Sequence, residues 1–206
     1  MLQLLAATSN KHKVEEFRKM LNDLNSRVNI VTPDTIPNFP VLIEDGNSFE
    51  ENAEKKAEQA SAYADMAAFA DDSGLVVEAL DGTPGIYSAR YAGEGATDAE
   101  RIAKLLEAMK GKTDRRAKFV CAIAIAYRGD DVALFRGEVC GTIAEAPRGT
   151  NGFGYDPVFI PEGYDKTFGE LPSEVKDSIS HRAAAMIKAV KFIRAELDSM
   201  DDFEFV

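Results

Sequence analysis

The sequence lacks the features that mark several common classes of protein. Its 206 residues include two histidines, so a histidine-rich transition-metal site is not expected. The longest apolar run, from about residue 119 to residue 127, is too short to span a membrane. The formal net charge of −11 opposes non-specific binding to nucleic acid, which requires a basic face. These absences predict a protein with no membrane span and no nucleic-acid partner.

Cysteine is also scarce. The two cysteines, Cys121 and Cys140, both lie in apolar, strand-like segments, which predicts reduced core thiols in a cytoplasmic protein. They lie at mirrored distances from a possible turn at Asp130-Asp131, so we expect cross-strand neighbours without a disulfide. The apolar first residues run directly into polar ones with no basic segment ahead of them, which indicates a strand and not a signal peptide.

The sequence does contain alternating strand and helix patterns, and its 45% apolar residues suffice for one domain or two closely joined lobes. Strands are predicted at residues 2–7, 28–31, 66–70, 75–80, 119–127 and 132–143, and the last two form a hairpin. Helices are predicted after Asn10, after capping boxes that begin at Ser48 and Thr97, and after Ser180. These patterns predict one α/β domain over residues 1–206, with a mixed sheet and an acidic, frayed tail from about residue 198.

A candidate anion-binding turn follows the first predicted strand. It comprises Thr8, Ser9, Asn10, Lys11, His12 and Lys13. Backbone N–H groups at a helix start attract anions, and a bound phosphate would balance the lysines that stand unfavourably in this first turn. The glycine-rich Walker pattern is absent. The alternative interpretation is a capped helix with solvated lysines.

The second candidate is Asp71-Asp72-Ser73-Gly74, between the predicted strands at 66–70 and 75–80. Two adjacent carboxylates between apolar segments are costly unless a cation neutralises them. Mg²⁺ does so with one or two carboxylates plus phosphate oxygens, and a neighbouring carboxylate could deprotonate an attacking water. The alternative is an acidic turn between strands, because Asp, Ser and Gly are ordinary turn residues.

Three weaker candidates lie elsewhere in the chain. Glu44 lies in a loop ahead of the helix that carries Lys56, and this lysine could point at phosphates. In residues 152–157 two aromatic residues flank a glycine and precede a carboxylate, a combination that can stack on a flat base and bind its edge. Hydrogen-bond donors gather near the last helix at Lys176, Ser180, His181 and Arg182. Each pattern also has a structural interpretation, namely helix capping or core aromatics in a tight turn.

The order of these segments is more specific than any one of them. Along the chain they are TSNxxK from Thr8, SFEENA from Ser48, ADDSGL from Ala70, PGIYSARY from Pro84, GFGYDP from Gly152 and SHR from Ser180. This order closely resembles the inosine triphosphate pyrophosphatase family, also described as dITP/XTP diphosphatases. The resemblance covers nearly the whole chain except the acidic tail.

The resemblance implies an elongated α/β fold with a mixed sheet flanked by helices, and two lobes with a central substrate cleft, usually in a homodimer. It also implies Mg²⁺-dependent hydrolysis of deaminated purine nucleoside triphosphates (ITP, dITP and XTP) between the α and β phosphates. The products are the monophosphate and pyrophosphate, so the reaction removes these nucleotides from the pool.

Roles for single residues follow from the same resemblance. It makes Asp72 the general base and a metal ligand, with Asp71 beside it. The resemblance also implies that the triphosphate binds to the turn at residues 8–13 and to Lys56. Further substrate contacts are implied for Ser73, Phe153, Gly154, Tyr155, Asp156, Lys176, His181 and Arg182, most of them around the base.

One position departs from the family pattern. Many relatives carry a metal-associated glutamate three residues before the glycine that matches Gly46, and here that position is Ile43. Glu44 is the nearest carboxylate and is the candidate replacement.

The expected mechanism has Asp72 deprotonate a water that attacks the α-phosphorus, while lysines and Mg²⁺ stabilise the pyrophosphate leaving group. Donors around the base suit a 6-oxo purine and disfavour adenine. Two alternatives stay open. One is a pyrophosphatase for modified pyrimidine or methylated nucleotides, and the other is a non-catalytic nucleotide-binding regulator.

Overall fold

The computed structural model describes the chain except for Ser9, Asn25, residues 128–131 and residues 204–206. For Lys11, His12, Asp23 and residues 200–203 it describes the backbone alone. The predicted turn at Asp130-Asp131 therefore lies outside the described residues. Across the described part, no helix combines the length and apolar character needed to cross a membrane.

The strands form one mixed sheet. Their bounds are Leu2–Ala6 (β1), Val28–Val31 (β2), Ala67–Val77 (β3), Arg116–Ala126 (β4), Val132–Ile143 (β5) and Phe159–Pro161 (β6). The order across the sheet is β2-β1-β3-β4-β5-β6. β1 is parallel to both β2 and β3, whereas β5 and β6 are antiparallel. The predicted α/β class with a mixed sheet is confirmed.

The α-helices of the described chain are Lys11–Met20 (α1), Phe49–Ala64 (α2), Asp98–Ala108 (α3), Ser173–Ile179 (α4) and His181–Phe203 (α5). α5 continues to Phe203, so the backbone is helical at the start of the acidic tail predicted from about residue 198. Leu197 is buried, and Asp198 forms an ion pair with Arg27 at 2.7 Å. These two contacts anchor α5 as far as Asp198, and fraying beyond that residue stays a prediction.

Short-range signals explain where the helices begin. Thr97 and Glu100 form the predicted capping box, in which each side chain accepts a hydrogen bond from the other's backbone N–H. Ser48 likewise accepts from the N–H of Glu51 at 3.1 Å. The Glu51 carboxylate, however, accepts from the N–H of Asn47 and not from that of Ser48. The N-cap at Ser48 is therefore confirmed, but its capping box is displaced by one residue.

The largest difference from the sequence prediction is in β3. Two strand edges were expected around an acidic turn, but one 11-residue strand runs straight through Asp71-Asp72-Ser73-Gly74. Polar residues of this kind favour turns when they face solvent. Here both carboxylates have polar partners on neighbouring helices, the part-buried Lys13 and the buried Asn52, so the extended backbone is retained. The acidic turn was therefore the wrong interpretation.

The chain divides into two compact units. The first unit comprises Met1–Asp72, Ala122–Arg136 and Ala184–Val206, and the second comprises Ser73–Cys121 and Gly137–Ala183. In the first unit Phe17 and Phe69 stack with ring centroids 3.7 Å apart. In the second, Phe159 packs against Phe119 and Phe168. Each unit thus has an aromatic core of its own.

Neither Cys121 nor Cys140 forms a disulfide, as predicted. Cys121 is buried in β4, which confirms its predicted core position. Cys140 is exposed on β5, so its predicted core position is wrong. Because side chains alternate between the two faces of a strand, an apolar sequence does not by itself place every residue inward.

Candidate active site

Asp71 and Asp72 are consecutive residues of β3, so their side chains point to opposite faces of the strand. Asp71 Oδ2 lies 2.8 Å from Lys13 Nζ of α1. Asp72 Oδ2 accepts a hydrogen bond from Asn52 Nδ2 of α2, at 3.0 Å. The two residues are only 5% and 9% exposed. The strand therefore presents two buried carboxylates to two different helices.

Lys56 of α2 lies among three carboxylates. Its ammonium group donates to Glu44 Oε1 at 2.6 Å and to the backbone oxygen of Asp71 at 2.7 Å. Burial lowers the pKa of Lys56, but the charges of Asp71, Asp72 and Glu44 more than compensate and leave that pKa above its ordinary value. Lys56 is therefore a permanent positive charge at neutral pH.

The environment also makes Asp72 more basic than an exposed aspartate. Burial raises the pKa of Asp72, and the favourable interactions with Lys56 and Asn52 offset only part of that rise. A raised pKa favours proton uptake by a carboxylate. Asp72 therefore accepts a proton more readily than an exposed aspartate does.

The turn at residues 8–13 connects β1 to α1. The N–H of Asn10 donates to Thr8 Oγ1 at 3.2 Å, and Asn10 Oδ1 accepts from the N–H of Lys13 at 3.4 Å. This confirms Asn10 as the N-cap of α1. The Lys13 charge at this helix start is balanced by Asp71 even without a phosphate. Ser9 and the side chains of Lys11 and His12 lie outside the described residues.

A cavity of about 520 Å³ lies beside these groups in the first unit. The cavity is lined by Thr8, Lys13, Glu44 and Lys56, together with Asp34 and apolar residues of the segment 33–42. Its volume falls within the usual range for small-molecule sites. The two lysines in this lining suit a small anion.

Glu44, and not Ile43, belongs to this group. The Ile43 side chain is 58% exposed, whereas the Glu44 carboxylate is paired with the buried Lys56. This placement agrees with Glu44 as the replacement for the missing glutamate. Its role as a metal ligand stays a prediction.

A second group of candidate residues lies in the second unit. Asp156 is buried, and its Oδ2 accepts from the N–H of Phe153 at 2.8 Å and from the Lys176 ammonium. Lys176 Nζ lies 4.5 Å from the centroid of the half-buried Phe153 ring. Gly152 has φ +74°, and a Cβ there would collide with the Asp156 carboxylate. Asp156 thus fixes the loop that presents Phe153.

Arg182 and His181 come from the first turn of α5. Arg182 Nη2 donates to Ser73 Oγ at 3.3 Å, and the guanidinium carbon lies 5.5 Å from the Phe153 centroid. The His181 ring stacks on Phe119, with 4.8 Å between centroids and an interplanar angle of 13°. The second unit therefore brings together an aromatic face and several hydrogen-bond donors.

Tyr155 and Gly154 are held by structural contacts. Tyr155 is buried, and its hydroxyl donates to the backbone oxygen of Ser88 at 2.9 Å. The Gly154 N–H donates to Asp98 Oδ2 at 2.7 Å. For the Tyr155 side chain the core-aromatic interpretation is confirmed, so Phe153 is the ring of this pair that can stack on a base.

Sequence reasoning missed the supporting role of Ser88. Its hydroxyl accepts from the N–H of Leu75 at 2.8 Å, while its backbone oxygen accepts from Tyr155. Ser88 therefore connects β3, through Leu75, to the loop that carries Phe153 and Tyr155. The signal lies in the PGIYSARY segment, which also carries part of the family resemblance.

Comparison with known proteins places this arrangement in a family. The family model described as the Ham1 family matches residues 4–192. The chain belongs to the Ham1 family. A dITP/XTP pyrophosphatase from Desulfotalea psychrophila is 47% identical and covers 94% of this chain and 84% of its own length. The dITP/XTP pyrophosphatase of Geobacter sulfurreducens is 46% identical over 90% of this chain and 94% of its own.

Solved structures of Ham1 proteins share the fold. The Ham1 protein of Staphylococcus aureus has a TM-score of 0.87 and 40% identity, over 94% of this chain and 99% of its own. The Ham1 protein of Coxiella burnetii has a TM-score of 0.89 and 39% identity, over 95% of this chain and all of its own. The predicted family and fold class are therefore confirmed, while the two-lobed cleft stays a prediction.

Proposed function

We propose that this Ham1-family chain hydrolyses dITP, XTP and ITP to the monophosphate and pyrophosphate. The observation that carries the proposal is the buried carboxylate of Asp72. Its neighbour Asp71 contacts both phosphate-binding candidates, Lys13 through its carboxylate and Lys56 through its backbone oxygen. The named activity of the relatives supports dITP and XTP as substrates. ITP is added because it carries the same base as dITP.

Mg²⁺ is proposed as the cofactor, since the donors here are hard oxygens, which Mg²⁺ prefers. Within the described residues no three His, Cys, Asp or Glu side chains are gathered as a metal-binding group. That fits an ion held by one or two carboxylates and completed by phosphate oxygens and water. Asp72 and Glu44 would hold it, and Asp71 is the weaker candidate because its side chain points to the opposite face of β3 from that of Asp72. When bound, the ion would neutralise charge on the phosphate oxygens.

The chain's own residues account for the remaining steps. Asp72 orients a water toward the α-phosphorus and accepts its proton. Lys13 and Lys56 stabilise the negative charge that develops on the departing pyrophosphate. The N–H groups at the start of α1 bind the terminal phosphates.

Base selection is assigned to the second unit. The Phe153 ring stacks on the purine, and donors from Lys176, His181 or Arg182 bind its 6-oxo group. Adenine carries an amine there and would leave those donors unpaired, at a cost of several kcal/mol in favourable cases. GTP shares the 6-oxo group, so its exclusion depends on contacts at the 2-position. A homodimer in the cytoplasm remains an expectation from the sequence.

The identity of the phosphorus product tests the reaction. With Mg²⁺ present, dITP, XTP and ITP are expected to give pyrophosphate, and ATP, GTP and dUTP to react much more slowly. Phosphorus NMR or coupled assays for pyrophosphate and orthophosphate separate the two products. A chelator should abolish turnover if a divalent ion is required.

Each other outcome points to a different function. Release of orthophosphate would contradict cleavage between the α and β phosphates. Preferred turnover of dUTP or a methylated nucleotide would favour the alternative pyrophosphatase. Binding of a nucleotide without turnover would favour the non-catalytic regulator.

Phe153→Ala and Tyr155→Phe separate base stacking from core packing. Loss of the half-buried Phe153 ring is expected to raise KM for dITP about tenfold, because stacking on one base is worth roughly 1–3 kcal/mol. Tyr155→Phe removes a buried hydrogen bond and is expected to lower the free energy of unfolding by about 1 kcal/mol with KM unchanged. Steady-state kinetics and urea denaturation measure the two effects. An equal rise of KM in both variants would contradict the assignment of stacking to Phe153.

A further inference from the structure

Asn52 of α2 makes two buried hydrogen bonds that link separate parts of the first unit. Its Nδ2 donates to Asp72 Oδ2 at 3.0 Å, and its Oδ1 accepts from the N–H of Gly46 at 2.8 Å. The residue is 1% exposed. One amide therefore contacts both the reactive carboxylate on β3 and the loop that carries Glu44.

The orientation of this amide is determined by its neighbours. A backbone N–H can only donate, so the oxygen of Asn52 must face Gly46. The NH₂ group is then directed at Asp72, where a carboxylate accepts it. An asparagine satisfies both contacts at once, whereas an aspartate or a leucine of similar size cannot.

The contact between Asn52 and the loop also explains why residue 46 is a glycine. A Cβ at position 46 would approach Asn52 Oδ1 and the Cβ of Glu51 to 2.8 Å each. The loop backbone could not then lie this close to α2. Gly46 is therefore required for the short hydrogen bond to Asn52.

Two further residues on the same face of α2 hold the loop. Gln59 accepts from the N–H of Ile43 at 3.1 Å and donates to its carbonyl oxygen at 3.3 Å. Lys56, between Asn52 and Gln59, pairs with Glu44. Positions 52, 56 and 59 are spaced by four and three residues, which places them in one row on the helix. The row fixes Glu44 from both sides.

We propose that Asn52 is a positioning residue for the hydrolytic reaction. Through Asp72 and Gly46 it sets the relative position of the base and of the loop with Glu44, without touching the substrate. The proposal rests on the proposed function. Supporting residues around metal and catalytic groups contribute about 10–100-fold to activity in comparable sites.

Two substitutions separate the two contacts. Asn52→Asp keeps an oxygen for the Gly46 N–H but turns an acceptor toward Asp72. Asn52→Ala removes both contacts. Both variants are expected to lower kcat for dITP about 10–100-fold with KM within about threefold, since the phosphate-binding lysines remain.

Ser61→Ala is the matched control. Ser61 is also buried on α2, and its hydroxyl donates to the backbone oxygen of Met66 at 2.8 Å. The substitution removes a hydrogen bond made by the same helix, but one that does not involve Asp72. The melting temperature of Ser61→Ala is expected to fall, while its kcat stays within twofold of the wild type.

Amide exchange gives a readout that does not depend on activity. The Gly46 N–H is expected to be protected in the wild type and in Asn52→Asp, and to exchange at least about tenfold faster in Asn52→Ala. The proposal is overturned if both variants keep the kcat of Ser61→Ala, or if Gly46 exchange is equal in the wild type and in Asn52→Ala. If the wild type itself releases no pyrophosphate, the proposed function fails, and Gly46 exchange alone decides whether Asn52 fixes the loop.

Discussion

Replacing Asp72 with asparagine is expected to lower kcat for dITP by roughly 10²–10⁴-fold while the nucleotide still binds. The amide matches the carboxylate in size and can accept the hydrogen bond from Asn52. It cannot take a proton from water, and it is a poorer ligand for Mg²⁺. Lys13 and Lys56 remain in place, so binding of a non-hydrolysable dITP analogue should weaken much less. Pyrophosphate release and calorimetry measure the two quantities.

The control for this substitution is Asp45→Asn. Asp45 is an exposed carboxylate whose partner is Lys55, at 2.6 Å. Its loss changes the charge of the protein by the same amount without touching β3, so kcat is expected to match that of the wild type. The melting temperature of the Asp72 variant should not fall, because the substitution removes a buried charge. A kcat within tenfold of the wild type would exclude Asp72 as the base.

The second large effect is expected for Lys56→Met, on stability. Methionine fills a similar volume but leaves the buried Asp71 and Asp72 and the partly exposed Glu44 without this cation. Breaking a buried ion pair by removing one partner typically costs about 3–5 kcal/mol, and the lower end is expected because Glu44 is partly exposed. Urea denaturation at pH 7 without metal or nucleotide measures the loss. Since the same lysine stabilises the leaving group, turnover should also fall.

Lys55→Met, one residue away, is the matched control. Lys55 pairs with Asp45 at the surface, with 43% and 69% of the side chains exposed. Exposed ion pairs contribute little to stability, so no measurable change is expected. If Lys56→Met lost no more stability than Lys55→Met, the positive charge of Lys56 would not stabilise the fold through the three carboxylates around it.

Local signals in the sequence predicted much of the fold. Asn10, Ser48 and Thr97 each begin a helix, because capping depends on side chains only two or three residues away. α4 and β6 were not predicted. β6 has three residues and α4 begins after Pro172 without a side-chain cap, so neither leaves a periodic pattern long enough to detect.

The geometry around the candidate site residues could not be predicted from the sequence. Asp71 and Asp72 were correctly chosen as buried carboxylates, yet their strand was taken for a turn. The decisive partners, Lys13 and Asn52, lie about 20 or more residues away in sequence, and no local pattern encodes such contacts. Tyr155 shows the same limit, since only the fold places its hydroxyl on Ser88.

The position of Asp72 within β3 has a consequence for heat inactivation. Reactive groups usually stand on loops, which can open locally while the rest of the protein stays folded. β3 is instead the third of six strands, and it pairs with β1 at Ala67–Phe69, shortly before Asp72, and has β4 as its other neighbour. Such interior strands generally open only when the whole structure opens. The loss of the base with temperature should therefore coincide with global unfolding, with no folded but base-deficient state in between.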